Sequence, residues 1–237
     1  KHIVAMLTLA GIDDVEARTD RILQLENDIA KTHWDRVSCR DANKTYNLKT
    51  ATDLRTLVGN FDWDVWAAEA QVKAEVLAEV VVSQPSYLEG LNELLDEDRL
   101  AQWQDWLRWQ IVHGAAPYLS DAFVEENFDF YGRTLSGTAE LRPRWKRGIG
   151  FVEGAMGEAI GKIYVAEHFG ETARERMSVM IDNLIEAYRL SISNLSWMSE
   201  ETKAEALTKL ASFTPKIGHP AEFKDYAALE TDPGDLL

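Results

Sequence analysis

The 237-residue sequence is long enough to bury a sizeable core, as one large or two small domains, and its 46% hydrophobic content is ordinary for a globular protein. A formal net charge of −15 offers no electrostatic footprint for a phosphate backbone, which argues against a nucleic-acid partner. Cys39 is the only cysteine, so there is no disulfide framework and no thiolate metal cage, and no apolar run has membrane-spanning length.

The chain opens at Lys1-His2-Ile3-Val4-Ala5-Met6-Leu7 without an initiator methionine or a signal-peptide pattern. It reads as starting inside a helix, and hence as a piece of something longer. Ile3 to Leu9 is helical and is closed by Gly11. Asp13 and Asp14 are candidate caps for a second helix from Val15 to about His33, with Val15, Ile22, Leu25 and Ile29 on one stripe. Periodicity fades from Asp35 to Lys49, and Arg40 to Asn47 reads as a loop. Thr50-x-x-Asp53 matches a capping box ahead of Leu54 and Leu57.

Phe61-Asp62-Trp63-Asp64-Val65-Trp66 begins another helical stretch whose aromatics suit a core better than a ligand platform. Glu79 to Ser83 is short, β-branched and the best strand candidate in the chain. Pro85 fits the first turn of a helix through Leu95. The stretch from Asp98 to Leu119 carries an apolar stripe of Leu100, Trp103, Leu107 and Ile111, widened by Trp106 and Trp109. Those tryptophans are compatible with a sugar or base platform, although core packing is the commoner use of such rings.

Ser120 and Asp121 suit the start of a helix reaching about Tyr131, with a turn-rich connection from Gly132 to Glu140. Next come Gly150, Gly154, Gly157 and Gly161 at spacings of four, three and four, which is helical periodicity. Each interior glycine costs roughly 1 kcal/mol against alanine in a helix. The run therefore predicts a buried central helix that another backbone approaches closely, where a bulky side chain at Gly154 or Gly157 is costly. Glu171 to Leu195 forms a further helix with Ala173, Met177, Ile181, Leu184, Tyr188 and Ile192 on its apolar face. Ser199 caps Glu200 to Phe213, Pro215 to Pro220 is a loop or short strand, and the tail Asp232 to Leu237 approaches another helix. The fold class is mainly α, a large multi-helix domain with at most a few short strands.

Motifs that would carry chemistry are missing. None of His2, His33, His113, His168 and His219 belongs to H-E-x-x-H, and there is no C-x-x-C, P-loop or G-x-S-x-G. Gly148-Ile-Gly150-Phe-Val-Glu-Gly154 misses the dinucleotide fingerprint because its third glycine falls one residue late and no strand precedes it. Gly150-x-x-x-Gly154 misses a membrane dimerisation face because Glu153, Glu158 and Lys162 interrupt the apolar run. Pairs such as Glu125-Glu126 are solvated surface in a chain this acidic, and the two sequons at Asn43 and Asn194 are of a frequency that chance supplies.

Several segments together resemble one family. Arg144-Trp145-Lys146-Arg147, with Gly161-Lys162-Ile163-Tyr164-Val165 downstream, is similar to the W-[RK]-R and G-x-[LI]-Y-V segments of the neprilysin and endothelin-converting-enzyme family of zinc metallopeptidases, peptidase family M13. Leu195-Ser-Trp197-Met198-Ser-Glu-Glu-Thr-Lys203 resembles its L-x-W-M-x-x-x-T-K, and Lys216-Ile-Gly218-His-Pro220 its K-I-G-[YF]-P. Upstream, Arg40-Asp41 with Tyr46-Asn47, Phe61-x-Trp63 and Pro85-x-Tyr87-Leu88 also fit, so the resemblance covers most of the chain.

The resemblance implies that residues 1–237 are a fragment of the amino-terminal, mainly helical and non-catalytic domain of a larger peptidase. In this family that domain faces a zinc-bearing catalytic domain, and the two enclose a chamber for peptides. The zinc ligands, the general-base glutamate and the N-A-[YF] segment lie further towards the carboxy terminus, so no catalytic, cofactor-binding or metal residue is carried over. Trp145, Arg147, Gly154, Gly161, Tyr164, Trp197, Met198, Lys203, Gly218 and Pro220 are expected to be structural and interdomain residues. The implied partners are the catalytic domain of the same chain and, for the parent enzyme, zinc and peptide substrates. Animal members carry a cysteine where this chain has Gly148 and are rich in disulfides. The departure points to a bacterial member and leaves a cytoplasmic or a cell-surface or secreted location open. Two other readings stand beside this one: a stand-alone helical interaction module, and an independent metalloenzyme built on His113, His168 and scattered carboxylates.

Overall fold

The computed structural model describes residues 1–232. The sequence from Pro233 on, where the approach to another helix was expected, lies outside the described residues. The fold is mainly α, with eleven α-helices and one two-stranded sheet among the described residues. The chain divides into two compact units, Lys1–Leu141 and Arg142–Leu237.

The first unit holds α1 (His2–Leu9), α2 (Val15–Thr32), α3 (Ala42–Thr45), β1 (Leu48–Thr50), α4 (Ala51–Leu57), α5 (Trp63–Glu69), β2 (Glu79–Val81), α6 (Pro85–Leu94), α7 (Leu100–Ala115) and α8 (Asp121–Asn127). Its local signals were largely readable. Thr50 Oγ1 accepts from the Asp53 amide at 3.2 Å while the Asp53 carboxylate accepts from the Thr50 amide at 2.9 Å, which closes the capping box of α4. Pro85 occupies the first turn of α6. The strand expected over Glu79–Ser83 forms as β2, and it pairs antiparallel with β1, Leu48 opposite Val81 and Thr50 opposite Glu79.

Other expectations are corrected. Neither Asp13 nor Asp14 caps α2 through its side chain: Asp14 sits in the left-handed region at φ 49°, and the Asp13 carboxylate accepts instead from Arg18 Nη2 at 2.9 Å. The loop expected over Arg40–Asn47 contains the single turn α3, held by the Asp41 carboxylate accepting from the Asn43 and Lys44 amides. The helix beginning at Asp121 does not stop near Tyr131. Beyond α8 it widens into a π-helix over Phe128–Leu135, which takes in the start of the expected turn-rich connection.

The core of this unit gathers Met6 and Leu7 of α1, Ile22 of α2, Trp109 of α7 and the following Ala116, with Trp106 and Val112 packed against them. Ile22 and Leu25 are fully buried, as the stripe on α2 predicts. On α7 only the widened edge of the expected stripe, Trp106 and Trp109, turns to the core. Leu100, Leu107 and Ile111 are exposed, whereas Asp105 and Trp109 are buried. Asp105 explains the rotation. At 2% exposure its carboxylate accepts from Arg18 Nη1, from Arg21 Nε at 2.7 Å and from Arg108 Nη1 at 3.0 Å. A buried carboxylate is tolerated only when paired and hydrogen-bonded, so α7 turns the Asp105 face towards the α2 arginines and its neighbouring leucines outward.

Close helix approach does use a glycine, but not one from the spaced run. A Cβ on Gly90 of α6 would lie 2.3 Å from the Thr32 methyl of α2, and the stiff β-branched threonine has little room to yield. Ser86 Oγ also donates to the Thr32 carbonyl at 3.0 Å across the same approach.

The second unit consists of α9 (Arg144–His168), α10 (Glu171–Asn194) and α11 (Glu200–Ala211) followed by irregular chain. Ser199 caps α11, its Oγ accepting from the Thr202 amide at 3.2 Å, as expected. No described residue of this unit is buried. The expectation of a buried glycine helix therefore fails here. A Cβ built on Gly150, Gly154, Gly157 or Gly161 meets nothing within 4 Å, and α9 carries a non-helical residue, Met156 at φ −134° and ψ 39°, between Gly154 and Gly157. Without close neighbours, the glycines leave the backbone of α9 weakly stiffened where it kinks.

Asp105→Asn, measured by urea unfolding, should cost about 3 kcal/mol because it leaves two part-buried guanidinium groups without their carboxylate. Burial pushes the Asp105 carboxyl up, and the hydrogen bonds from Arg21 and Arg18 more than reverse that, so it titrates below its ordinary value of 3.8. Its contribution is therefore complete above about pH 4 and is lost as pH falls through the lowered value, an acid dependence that the asparagine variant should lack. Among the glycines, Gly90→Ala should destabilise the chain by about 1–3 kcal/mol through overpacking. Gly154→Ala should instead be neutral or stabilise it by up to about 1 kcal/mol.

Candidate functional site

The residues singled out by sequence lie almost entirely in the second unit, on a surface rich in uncovered apolar side chains. Trp145, in the first turn of α9, is 64% exposed with the Lys146 ammonium over its ring at 5.3 Å. Two residues further on lies Arg147, whose Nε is buried with no hydrogen-bond partner. Gly154 is exposed and Gly161 half-buried, and Tyr164 is exposed and tilted against the His168 ring at 5.0 Å.

Trp197, in the turn between α10 and α11, is 76% exposed, and Met198 beside it is half-buried. Lys203 is mostly covered, with its Nζ donating to Glu200 Oε1 at 2.7 Å. Gly218 has φ 75° and a Cβ there would press into the Phe169 ring at 2.5 Å, so that turn needs glycine both for its backbone and for space. Pro220 is exposed, and its carbonyl lies 2.8 Å from His219 Nδ1. The fold thus places these ten residues in one unit without converging them on a single point.

The apolar faces of this unit continue the pattern. On α10, Met177, Leu184 and Tyr188 of the expected stripe are exposed, as are Ile149, Phe151, Val152 and Ile163 on α9. Single exposed hydrophobics are ordinary, whereas here several lie together on α9 and α10, with Ile181 and Ile192 of the α10 stripe half-buried.

Among the described residues, histidines and carboxylates do not assemble into a metal site. Among the described residues no group of three or more His, Cys, Asp or Glu is placed to hold an ion, so the residues present do not fit zinc and none is assigned to it. His113 and His168 belong to different units. His113 stacks on Trp109 at 5.1 Å and leans on Tyr131 at 5.2 Å, with Nδ1 buried and unpartnered. His2 is buried nearby, its Nδ1 3.0 Å from Glu126 Oε1 and its ring stacked on Phe130. Burial first, and then the neighbouring His2, hold the His113 imidazole below its ordinary value of 6.5. Sequence reasoning named His113 as one of five histidines and as a centre of the metalloenzyme reading, but not its aromatic surroundings, which come from α7 and the π-helix and share no sequence pattern.

The family model for the amino-terminal part of peptidase family M13 matches residues 1–220. This chain belongs to peptidase family M13. Among similar M13 proteins, the neutral endopeptidase of Lactobacillus helveticus is 29% identical over 98% of this chain and 36% of its own length. The Mycobacterium tuberculosis zinc metalloprotease Zmp1, solved in complex with an inhibitor, is 43% identical with a TM-score of 0.84, over 95% of this chain and 34% of that one. PepO from Lactobacillus rhamnosis HN001 is 25% identical with a TM-score of 0.79, over 94% of this chain and 35% of that one. The chain thus spans about a third of the length of the M13 proteins it matches, and it corresponds to their amino-terminal region. None of its described helices is long and apolar enough to cross a membrane.

The depressed His113 value has a sign that can be measured. Because the neutral imidazole is favoured in the folded state, stability should decline as pH falls below about 6.5 and continue to fall through the lowered value. Urea midpoints between about pH 7.5 and pH 5 should show this decline, and His113→Phe should reduce it.

Proposed function

We propose that this chain is the helical, non-catalytic part of a neprilysin-like zinc metalloendopeptidase that hydrolyses oligopeptides, and that it walls the substrate chamber and gates entry by size. The observation that carries the reading is the second unit, in which no described residue is buried while Trp145, Tyr164, Leu184, Tyr188 and Trp197 face outward. The greater length of the matched family members supports a further domain as the cover for that surface. On this reading Trp145, Arg147, Tyr164, Trp197, Met198, Lys203 and Pro220 are packing and interdomain residues, and Gly218 shapes a turn at the same surface. Gly154 and Gly161 keep α9 bare for an incoming backbone, which would supply the close approach that the spaced glycines require.

Zinc and the general base belong to the catalytic domain, where a bound zinc would supply an activated water. This chain's own residues then contribute exclusion and shape: they limit what reaches the metal.

Three outcomes test the proposal together. The 237-residue chain alone should bind no stoichiometric zinc and hydrolyse no peptide. The full-length enzyme should cleave a short peptide yet spare the same sequence held within a folded protein. Gly154→Leu should leave the isolated chain's stability nearly unchanged but lower peptide turnover by the full-length enzyme, since it would block the proposed approach. Tight zinc binding with peptide cleavage by the isolated chain would overturn the reading.

A second reading, a stand-alone interaction module, rests on the same uncovered apolar faces, which another protein could cover. Sequencing the gene past the codon for Leu237 separates the two. An in-frame continuation with N-A-[YF], H-E-x-x-H and a later glutamate supports the peptidase chamber, whereas a stop codon supports the module.

A further inference from the structure

The first unit contains a cleft that the peptidase reading does not use. It has a volume of about 280 Å³ and is lined by Phe61, Tyr87, Leu91, Trp103 and Trp106, with Glu26 as its only charged lining residue. The walls are held in place. Trp103 Nε1 donates to the Leu94 carbonyl at 2.8 Å, Trp106 Nε1 donates to Glu26 Oε1 at 2.6 Å, and the two indoles meet edge to face at 5.6 Å. Glu26 takes part in no ion pair among the described residues.

The lining chooses among ligand classes. A sugar needs several hydrogen-bonding partners around its hydroxyls, and here one carboxylate stands among apolar and aromatic groups. A nucleobase could stack, but the phosphate it normally carries would meet a chain of net charge −15. Aromatic rings beside a carboxylate that makes no ion pair instead attract a cation: a ring quadrupole and the carboxylate favour the same charge, and the apolar lining accepts the cation's hydrocarbon body. At about 30 Å³ for each water-sized group, the cleft holds roughly ten non-hydrogen atoms.

We propose that this cleft binds a small organic ammonium ion with an apolar body, its charge against Glu26 and its hydrocarbon part against Phe61, Tyr87, Trp103 and Trp106. The proposal is independent of the chamber reading, because it rests on the first unit alone.

The test titrates the full-length protein, labelled with 5-fluorotryptophan, with benzyltrimethylammonium. The fluorine signals of Trp103 and Trp106 are assigned by W103F and W106F. Both signals should shift saturably, and neutral benzyl alcohol should bind about tenfold more weakly, having lost the cation–π and charge terms. E26Q keeps an oxygen to accept from Trp106 Nε1 while removing the charge, and should weaken binding at least about threefold. Unmoved Trp103 and Trp106 signals would overturn the proposal, as would equal affinity for benzyl alcohol or an unaffected E26Q. Shifts produced by a lysine-rich peptide but not by the free ammonium would also overturn it, assigning the cleft to a protein partner.

Discussion

The carboxylate of Asp105 is the constraint on which the first unit turns. It lies on α7, is almost completely buried, and is hydrogen-bonded by two arginines of α2 and one of α7 itself. Leaving such a charge unpaired in the interior would cost far more than exposing a few leucines, so the pairing sets the rotation of α7 against α2. Everything else on that helix is then fixed. Trp109 enters the core, Leu107 and Ile111 face outward, and Trp103 and Trp106 are carried to the cleft beside Glu26.

This interaction also shows what the sequence could and could not convey. Helical periodicity located α7, but its apolar stripe, widened by Trp106 and Trp109, covered more of the helix than the core could take, and only the partner of Asp105 could choose the part that turns inward. That partner lies on another helix, so no local window contains it. By contrast, the Thr50–Asp53 box, the Ser199 cap and Pro85 at the start of α6 were legible because cause and effect lie within a single turn. The strand β2 was legible from its β-branched run, while β1 was not, since three residues such as Leu48-Lys49-Thr50 become a strand only through the pairing. The glycines teach the same lesson. Those with helical spacing have no close neighbour among these residues, and the one wedged against another helix, Gly90, stands alone in its segment.

For the candidate site, family motifs did more than physical patterning. Trp145, Tyr164 and Trp197 share only an aromatic ring and form no catalytic pattern, and their exposure becomes meaningful beside the matched M13 proteins, which are about three times as long. Helix α10 displayed a clear stripe in sequence, yet amphipathicity states only that a face prefers cover, not that the cover lies within the same stretch of chain.

The uneven distribution of burial has a spectroscopic consequence. Every fully sheltered side chain among the described residues belongs to the first 141 positions, and six of the eight tryptophans, all but Trp145 and Trp197, lie there too. Heat-capacity increments and denaturant slopes scale with the area that unfolding uncovers, and indole emission responds to loss of shelter. Calorimetry and intrinsic fluorescence of this chain are therefore weighted towards the first unit, and the order of the second is better followed through backbone signals such as far-ultraviolet dichroism.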